Sequence, residues 1–427
     1  MNRVSYITRV LATIGGEAGL MNIVLPGEDY PTRRQCRAWL AEHPDPSPRE
    51  LAESGYVAPH WPRPWGLGAS ALDQLVIDEE LKKASVQRPQ NRIAIGWAGP
   101  TIIYAGTEEQ KQRYLLPLLA GEEIWCQLFS EPDSGSDLAS LSTKAVRDGD
   151  EWIVTGQKIW TTFAHQAKFG ILLARTDPDV PKHEGISYFI CPMDAPGVEI
   201  EPIVDMTGQH AFNQVFLDEV HIPAGNLVGE VNKGWPLAKV TLGNERVSLS
   251  GEGALWGDGP NAESLVDLVR RSGAGISKVL RHQLVKVWIE GEILRLLRMR
   301  QLGATLSGQQ PGPEASVRKT MGDVHGKHLM DTAKDVAGAY GMLGDAGPLE
   351  ALKGMPGVGL SAGEGGLAWI SLVWSIGYLY SCALTIGGGT TEVQHNIVAE
   401  KILGLPKDID IHAGKTWAES RMAPTVS

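Results

Sequence analysis

The chain has 427 residues, 43% of them hydrophobic, and its 39 basic and 50 acidic side chains give a formal charge of −11. A chain of that length buries a large core and suggests two or three lobes, while an acidic balance without a Lys/Arg run argues against a nucleic-acid face or an anionic membrane surface. Cys36, Cys126, Cys191 and Cys382 stand far apart without CxxC or metal-ligand spacing, so they read as small buried side chains in a reducing, cytoplasmic protein with no metal site.

The first stretch, "MNRVSYITRVLATIGGEAGLMN", lacks the continuous apolar core and small-residue cleavage site of a secretory signal, and no targeting segment is expected. Residues 1 to about 120 read as mostly helical. Ser47 is placed to cap a helix with Pro48 at its first position and Glu50 three residues after the cap, and Ser70–Asp73 and Thr107–Gln110 repeat that logic. The Pro/Gly/Trp-rich connection "APHWPRPWGLGAS" over 58–70 is expected to pack its rings rather than bind a ligand.

From about 125 to 230 the apolar period becomes two. Ile186, Tyr188 and Ile190 share a face, Val198 and Ile200 alternate with Glu199 and Glu201, and "NQVFLDEVHIP" continues the pattern, which predicts antiparallel β structure. After Pro236 a helical period returns. One stripe carries Leu280, Leu284, Val287, Trp288 and Leu294, and further helices are expected over 313–340 and 391–404. The resulting division is an N-terminal helical domain over 1–123, a central β domain over 124–234 and a C-terminal helical bundle over 235–427. The uncharged run from Gly365 to Thr391 is long enough for a membrane span, but its serines, tyrosines and glycines and its lack of a basic flank favour a helix buried between subunits.

Three motifs carry chemistry. "LFSEPDSGSDLAS" at 128–140 is a polar turn whose Ser130, Ser134, Ser136 and backbone N–H groups can converge on a phosphate or a heteroaromatic edge. "GQKIWTTF" at 156–163 places Trp160 beside the hydroxyls of Thr161 and Thr162. "TIGGGTTEVQHNIVAEKILGLP" at 385–406 reads as a ligand-facing glycine turn, Gly387–Gly389, followed by a helix capped by Thr390 or Thr391. A GxGxxG after a strand is absent, which disfavours a Rossmann nicotinamide site.

Together with "NERVSL" at 244–249, Arg281 in "LRHQ" and "PGPEASVRK" at 311–319, these segments resemble the acyl-CoA dehydrogenase family over nearly the whole chain. The resemblance implies an α+β fold of that family and an FAD held between the β domain and the C-terminal helices. By that similarity Phe129 and Ser130 line the flavin, Trp160, Thr161 and Thr162 flank its ring system, and Arg281 reaches a neighbouring subunit's pyrophosphate. Ser136, Gly387, Thr390 and Glu392 complete the cofactor set, and Ser136 and Arg246 face the substrate. Gly338 stands where many members carry a glutamine that reaches the pyrophosphate. Many members also place the α-proton base just before the Gly-Thr of the glycine turn; here that position is Gly388, which has no side chain. Another branch places a glutamate before an arginine on the helix after the β domain, and here that pair is Glu245 and Arg246.

The implied reaction is the α,β-dehydrogenation of an acyl-CoA in fatty acid or steroid side-chain β-oxidation, with Glu245 as base and the Gly388 backbone N–H polarising the thioester carbonyl. An electron-transferring flavoprotein is the implied acceptor, and a homotetramer or a heterotetramer with a related chain the implied assembly. The alternative is a catalytically silent subunit of such a heteromer. An acyl-CoA oxidase ranks low, because those chains are usually longer.

Overall fold

The computed structural model describes residues 25–249, 260–272, 276–306, 312–338, 374–410 and 412–422. The N-terminal part contains α1 (Pro31–Glu42), α2 (Pro48–Glu53), α3 (Ala71–Lys83), a π-helical turn (Ala94–Ala98) that runs into α4 (Gly99–Ala105), and α5 (Glu108–Leu119). The caps sit where local chemistry puts them. Ser47 and Thr107 each accept a backbone N–H three residues on, and Glu50 and Gln110 return the bond, while Ser70 accepts from the Asp73 N–H. In the connection over 58–70, Trp61 is buried and its neighbour Trp65 packs against the same core, so those rings do pack.

The β layer holds β1 (Trp125–Leu128), β2 (Lys144–Asp148), β3 (Glu151–Thr162), β4 (Phe169–Arg175), β5 (Ile186–Pro192), β6 (Val198–Ile203), β7 (Phe212–Pro223) and β8 (Leu227–Val228). The order is β6-β7-β3-β2-β4-β5-β8, with β1 added beside β4. The antiparallel expectation holds for the pairings β2–β3, β3–β7, β4–β5, β5–β8 and β6–β7, while β1 and β2 run parallel to β4, so the sheet is mixed. The physical reason is a crossover: the chain leaves β1, turns through 129–143, makes the β2–β3 hairpin and re-enters at β4 in the direction of β1.

Burial explains why β4 and β5 are apolar on both faces apart from Arg175 and Ser187. Ile171, Leu173, Ile186, Tyr188 and Ile190 face the N-terminal helices, whereas Leu172, Ala174, Phe189 and Cys191 face the inner core with Trp152, Val215 and Leu217. The predicted Ile186/Tyr188/Ile190 face is therefore real, but the opposite face is buried as well.

The C-terminal part begins with α6 (Gly234–Leu249), two residues before Pro236, and continues with α7 (Ala262–Ser272), α8 (Lys278–Leu306), α9 (Glu314–Ala337), a helical segment over 374–380, a 3₁₀ turn (Ser381–Thr385) and α10 (Thr391–Ile397), which passes into a π-helical turn (Val398–Ile402). Its core joins Leu265, Leu268, Val287, Leu329, Met330, Ala333 and Trp374. The predicted stripe on α8 holds at Val287 and Leu294, but Trp288 is exposed together with Val285, Ile289 and Ile293, an apolar face the single chain leaves open. Cys36, Cys126 and Cys191 are buried; Cys382 is exposed, because the 3₁₀ turn directs Ser381 and Leu384 inward and Cys382 outward. The run Gly365–Thr391 lies outside the described residues up to 373, and no helix among the described residues is long and apolar enough to cross a membrane. Finally α11 (Trp417–Met422) returns to the β layer, where the Trp417 indole N–H donates to the Ser140 carbonyl at 3.3 Å and the Arg175 guanidinium lies 4.8 Å from its ring.

Candidate active site

The 128–140 motif forms a tight turn in which Glu131 and Ser134 exchange backbone hydrogen bonds, both at 3.1 Å. A buried ion pair holds it. The Lys158 Nζ, fully buried on β3, donates to Glu131 Oε1 at 2.9 Å, the Phe129 carbonyl at 3.1 Å and the Leu173 carbonyl at 2.8 Å. Glu131 also accepts from the Ser142 and Thr143 N–H groups at 2.6 and 2.9 Å. Burial alone would raise the Glu131 carboxyl, but the Lys158 ammonium and these donors hold it below its usual value; burial likewise lowers the Lys158 ammonium against the pull of Glu131. Sequence reasoning assigned no role to this pair. The available signal was a lysine among apolar residues of a strand, since a buried ammonium needs a carboxylate.

The Ile159 N–H donates to the Ser130 carbonyl at 2.9 Å, so the turn and the Trp/Thr strand are adjacent. Between Lys158 and Thr161 the pairing of β3 with β7 slips, and Trp160 sits there at φ +59°, a conformation a bulky residue adopts only when its surroundings impose it. The bulge turns the indole outward: it is 57% exposed and meets Phe212 edge-on at 5.9 Å. Thr161 points inward with its Oγ1 buried and without a partner among the described residues, as is the Oγ of Ser134. Ser130 and Thr162 are half-buried and Ser136 is exposed. Phe129 is buried, its ring edge-on to Tyr188, so only its backbone remains for a ligand.

The glycine turn forms a second group. Gly388 and Gly389 adopt φ +68° and +90°, and the Gly388 N–H makes no hydrogen bond among the described residues. Thr390 is the helix cap, its Oγ1 accepting from the Val393 N–H at 3.3 Å, and the following Glu392 carboxyl is held below its usual value by its own backbone N–H and the Thr390 hydroxyl. Gly387 donates to the Ala383 carbonyl at 3.0 Å. Beneath the turn, the Lys319 Nζ from α9 donates to the Leu384 carbonyl at 2.9 Å and pairs with Asp323 at 2.6 Å, both side chains buried. Burial raises the Asp323 carboxyl to about 6, opposed by Lys319.

Glu245 and Arg246 lie on α6, and their side chains are outside the described residues. The buried stripe of α6 runs Gly234, Leu237, Ala238, Thr241, with Val240 half-buried beside it, and Glu245 follows Thr241 by one helical turn. Thr241 is locked by fully buried hydroxyls: its Oγ1 lies 2.8 Å from Thr101 Oγ1 on α4 and 3.1 Å from the Tyr188 hydroxyl on β5. At the start of α6 a Cβ on Gly234 would come within 2.6 Å of the Ser187 carbonyl carbon, so only glycine allows this approach of helix to strand. Arg281 is exposed in the first turn of α8, and Gly338 ends α9 at φ +56°.

An FAD is implied by the fold family, and the residues fit one: an exposed indole stands beside a turn rich in hydroxyls, with Thr161 Oγ1 and Ser134 Oγ unpaired and the Gly388 N–H free among the described residues. The family models for the acyl-CoA dehydrogenase N-terminal, middle and C-terminal domains match residues 27–122, 126–220 and 232–403. The chain is 42% identical to acyl-CoA dehydrogenase FadE34 of Mycobacterium tuberculosis over 84% of its own length, but spans only 46% of that protein. It is 35% identical to acyl-CoA dehydrogenase IpdE1 of the same organism over 92% of its length and 94% of the relative's. Among solved structures, the Tcur3481-Tcur3483 steroid ACAD superposes with a TM-score of 0.68 at 28% identity, covering 88% of this chain and 97% of that one. A chain of the ChsE4-ChsE5 complex from Mycobacterium tuberculosis gives 0.65 at 30% identity, covering 91% and 100%. Matched by all three domain models and by IpdE1 over most of both lengths, this chain belongs to the acyl-CoA dehydrogenase family of FAD-dependent oxidoreductases.

Proposed function

We propose that the chain catalyses the α,β-dehydrogenation of an acyl-CoA thioester to its trans-2-enoyl-CoA. The observation that carries this reading is the glycine turn, where a position without a side chain offers an unpartnered N–H among the described residues. The Gly388 N–H donates to the thioester oxygen, which acidifies the α-hydrogen, and the Glu245 carboxylate removes that proton. Bound FAD supplies the acceptor for the β-hydride. Trp160, Thr161, Thr162, Ser130 and the Phe129 backbone orient it, Gly387, Thr390 and Glu392 serve its other end, Arg281 reaches the pyrophosphate of a neighbouring subunit's FAD, and Ser136 and Arg246 meet the acyl-CoA. Glu245 fits the role by register, since α6 carries its buried stripe through Thr241 toward that position.

The substrate we favour is the CoA ester of a steroid side chain, because the Tcur3481-Tcur3483 structure, matched at 28% identity, is a steroid ACAD. The open apolar face of α8 and the matched complex support an assembly with a second copy or a related chain, and an electron-transferring flavoprotein in the cytoplasm would reoxidise it. The division into lobes 1–123, 124–234 and 235–427 belongs to the same reading. A second reading, a silent subunit of a heteromer, is favoured by Gly388 alone, where many members carry their base. The test is the visible spectrum of the purified chain titrated with acyl-CoA thioesters. Bleaching by a steroid thioester, lost by ~10² fold or more in Glu245→Gln with FAD retained, is expected. An unbleached parent, or a Glu245→Gln variant reducing at the parent rate, moves the silent subunit ahead.

A further inference from the structure

We propose that Gln394 is the positioning residue that presets the glycine turn for the thioester oxygen; the inference rests on the Gly388 reading above. Gln394 is completely buried on α10, where its backbone N–H follows the Thr390 carbonyl at 2.9 Å and its side chain runs back toward the helix start. There Nε2 donates to the Gly388 carbonyl at 2.8 Å. The orientation of the amide follows from its partner, because a carbonyl can only accept. The consequence is that Oε1 lies buried without a partner among the described residues. An apolar side chain would avoid that orphan, so the amide is explained by the donor it supplies.

Two further observations agree. A Cβ on Gly389 would lie 2.6 Å from Gln394 Nε2, so the third glycine is needed to let the amide pass. On the upstream side the Ile386 and Gly387 N–H groups bond the Ala383 carbonyl at 3.1 and 3.0 Å, and Lys319 holds the Leu384 carbonyl. Gly388 is thus fixed on both flanks while its own N–H is left free. Three consecutive glycines would otherwise sample many backbone states, and a donor that must be aimed during the reaction loses its advantage when it has to be ordered first.

The experiment uses the full FAD-loaded protein, alone or with its partner chain, and compares the parent with Gln394→Met, which keeps length and volume but removes the donor. The probe is a non-oxidisable 3-thia-acyl-CoA, and the primary readout is the thioester carbonyl stretch of the bound probe, with affinity and flavin reduction by an oxidisable thioester alongside. The expected result is unchanged FAD retention, probe affinity within about threefold, reduction slowed by ~10–10² fold, and loss of roughly half or more of the band shift that binding to the parent produces. Gln394→Asn, whose amide is too short to reach, should behave as Gln394→Met does. A parent band equal to that in water would refute the Gly388 reading and this proposal with it. A shifted parent band equally shifted in Gln394→Met would overturn Gln394 alone. Failure of both variants to fold and hold FAD would make the residue structural and overturn the positioning role.

Discussion

Replacing Lys158 by methionine should destabilise the protein far more than loss of an exposed lysine would. The side chain is fully buried and satisfies three acceptors, and its removal leaves the Glu131 carboxylate, 7% exposed, with only the Ser142 and Thr143 N–H groups. Breaking a buried pair in this way costs about 3–5 kcal/mol, because the remaining charge stays desolvated. Unfolding entropy near 2.1 cal/mol/K per residue gives about 0.9 kcal/mol/K for a cooperative unit of this size, so the expected drop in Tm is about 3–6 °C. FAD affinity should fall with it, since the 129–143 turn loses its tether to β3. Replacing Glu131 by glutamine in the same chain removes the stranded charge and should restore part of the loss, which a double-mutant cycle by calorimetry measures. A Lys158→Met protein within 1 °C of the parent, on the order of 1 kcal/mol by the same conversion, would refute the argument.

Three other outcomes are expected. Gly234→Ala should force α6 away from β5, lowering stability by about 1–3 kcal/mol and slowing flavin reduction; denaturant unfolding and stopped-flow absorbance check both, and a neutral variant would show that the close approach has slack. A thiol reagent should label one cysteine rapidly in the native protein, Cys382, because the others are buried and burial pushes Cys36 to about 11, Cys191 to about 12 and Cys126 well up; a second fast thiol would contradict the packing. Asp323 is raised to about 6, so between its ordinary value near 4 and that pH the folded state holds the proton more tightly than the unfolded one. Stability should therefore fall as pH rises through this window, and Asp323→Asn should flatten the slope of the denaturation midpoint against pH; equal slopes would refute the assignment.

What could be read from the sequence was what depends on a few neighbouring residues. Ser47, Ser70, Thr107 and Thr390 cap their helices because the bond spans three residues, and the Ile186/Tyr188/Ile190 face follows from strand geometry. The glycine turn was legible as a turn, but Gln394 beneath it was not, since its reach depends on how α10 leaves the turn. Trp160 owes its exposure to a slip in pairing with β7, a partner some fifty residues away in the chain, and the Lys158–Glu131 pair depends on the path of the turn between β1 and β2. The parallel placement of β1 beside β4 was hidden for the same reason, as was the outward turn of Cys382.

The two-faced burial of β4 and β5 constrains how the chain is made. During vectorial synthesis the N-terminal helices emerge first, but the surface they cover, from Phe169 through Ile190, is still unmade. At roughly 5–20 residues per second the ribosome needs about 5–20 s to deliver the strands between Trp125 and Val228. For that interval Leu115, Leu118, Trp61 and their neighbours have only each other to pack against, a window in which a chaperone has a defined apolar target.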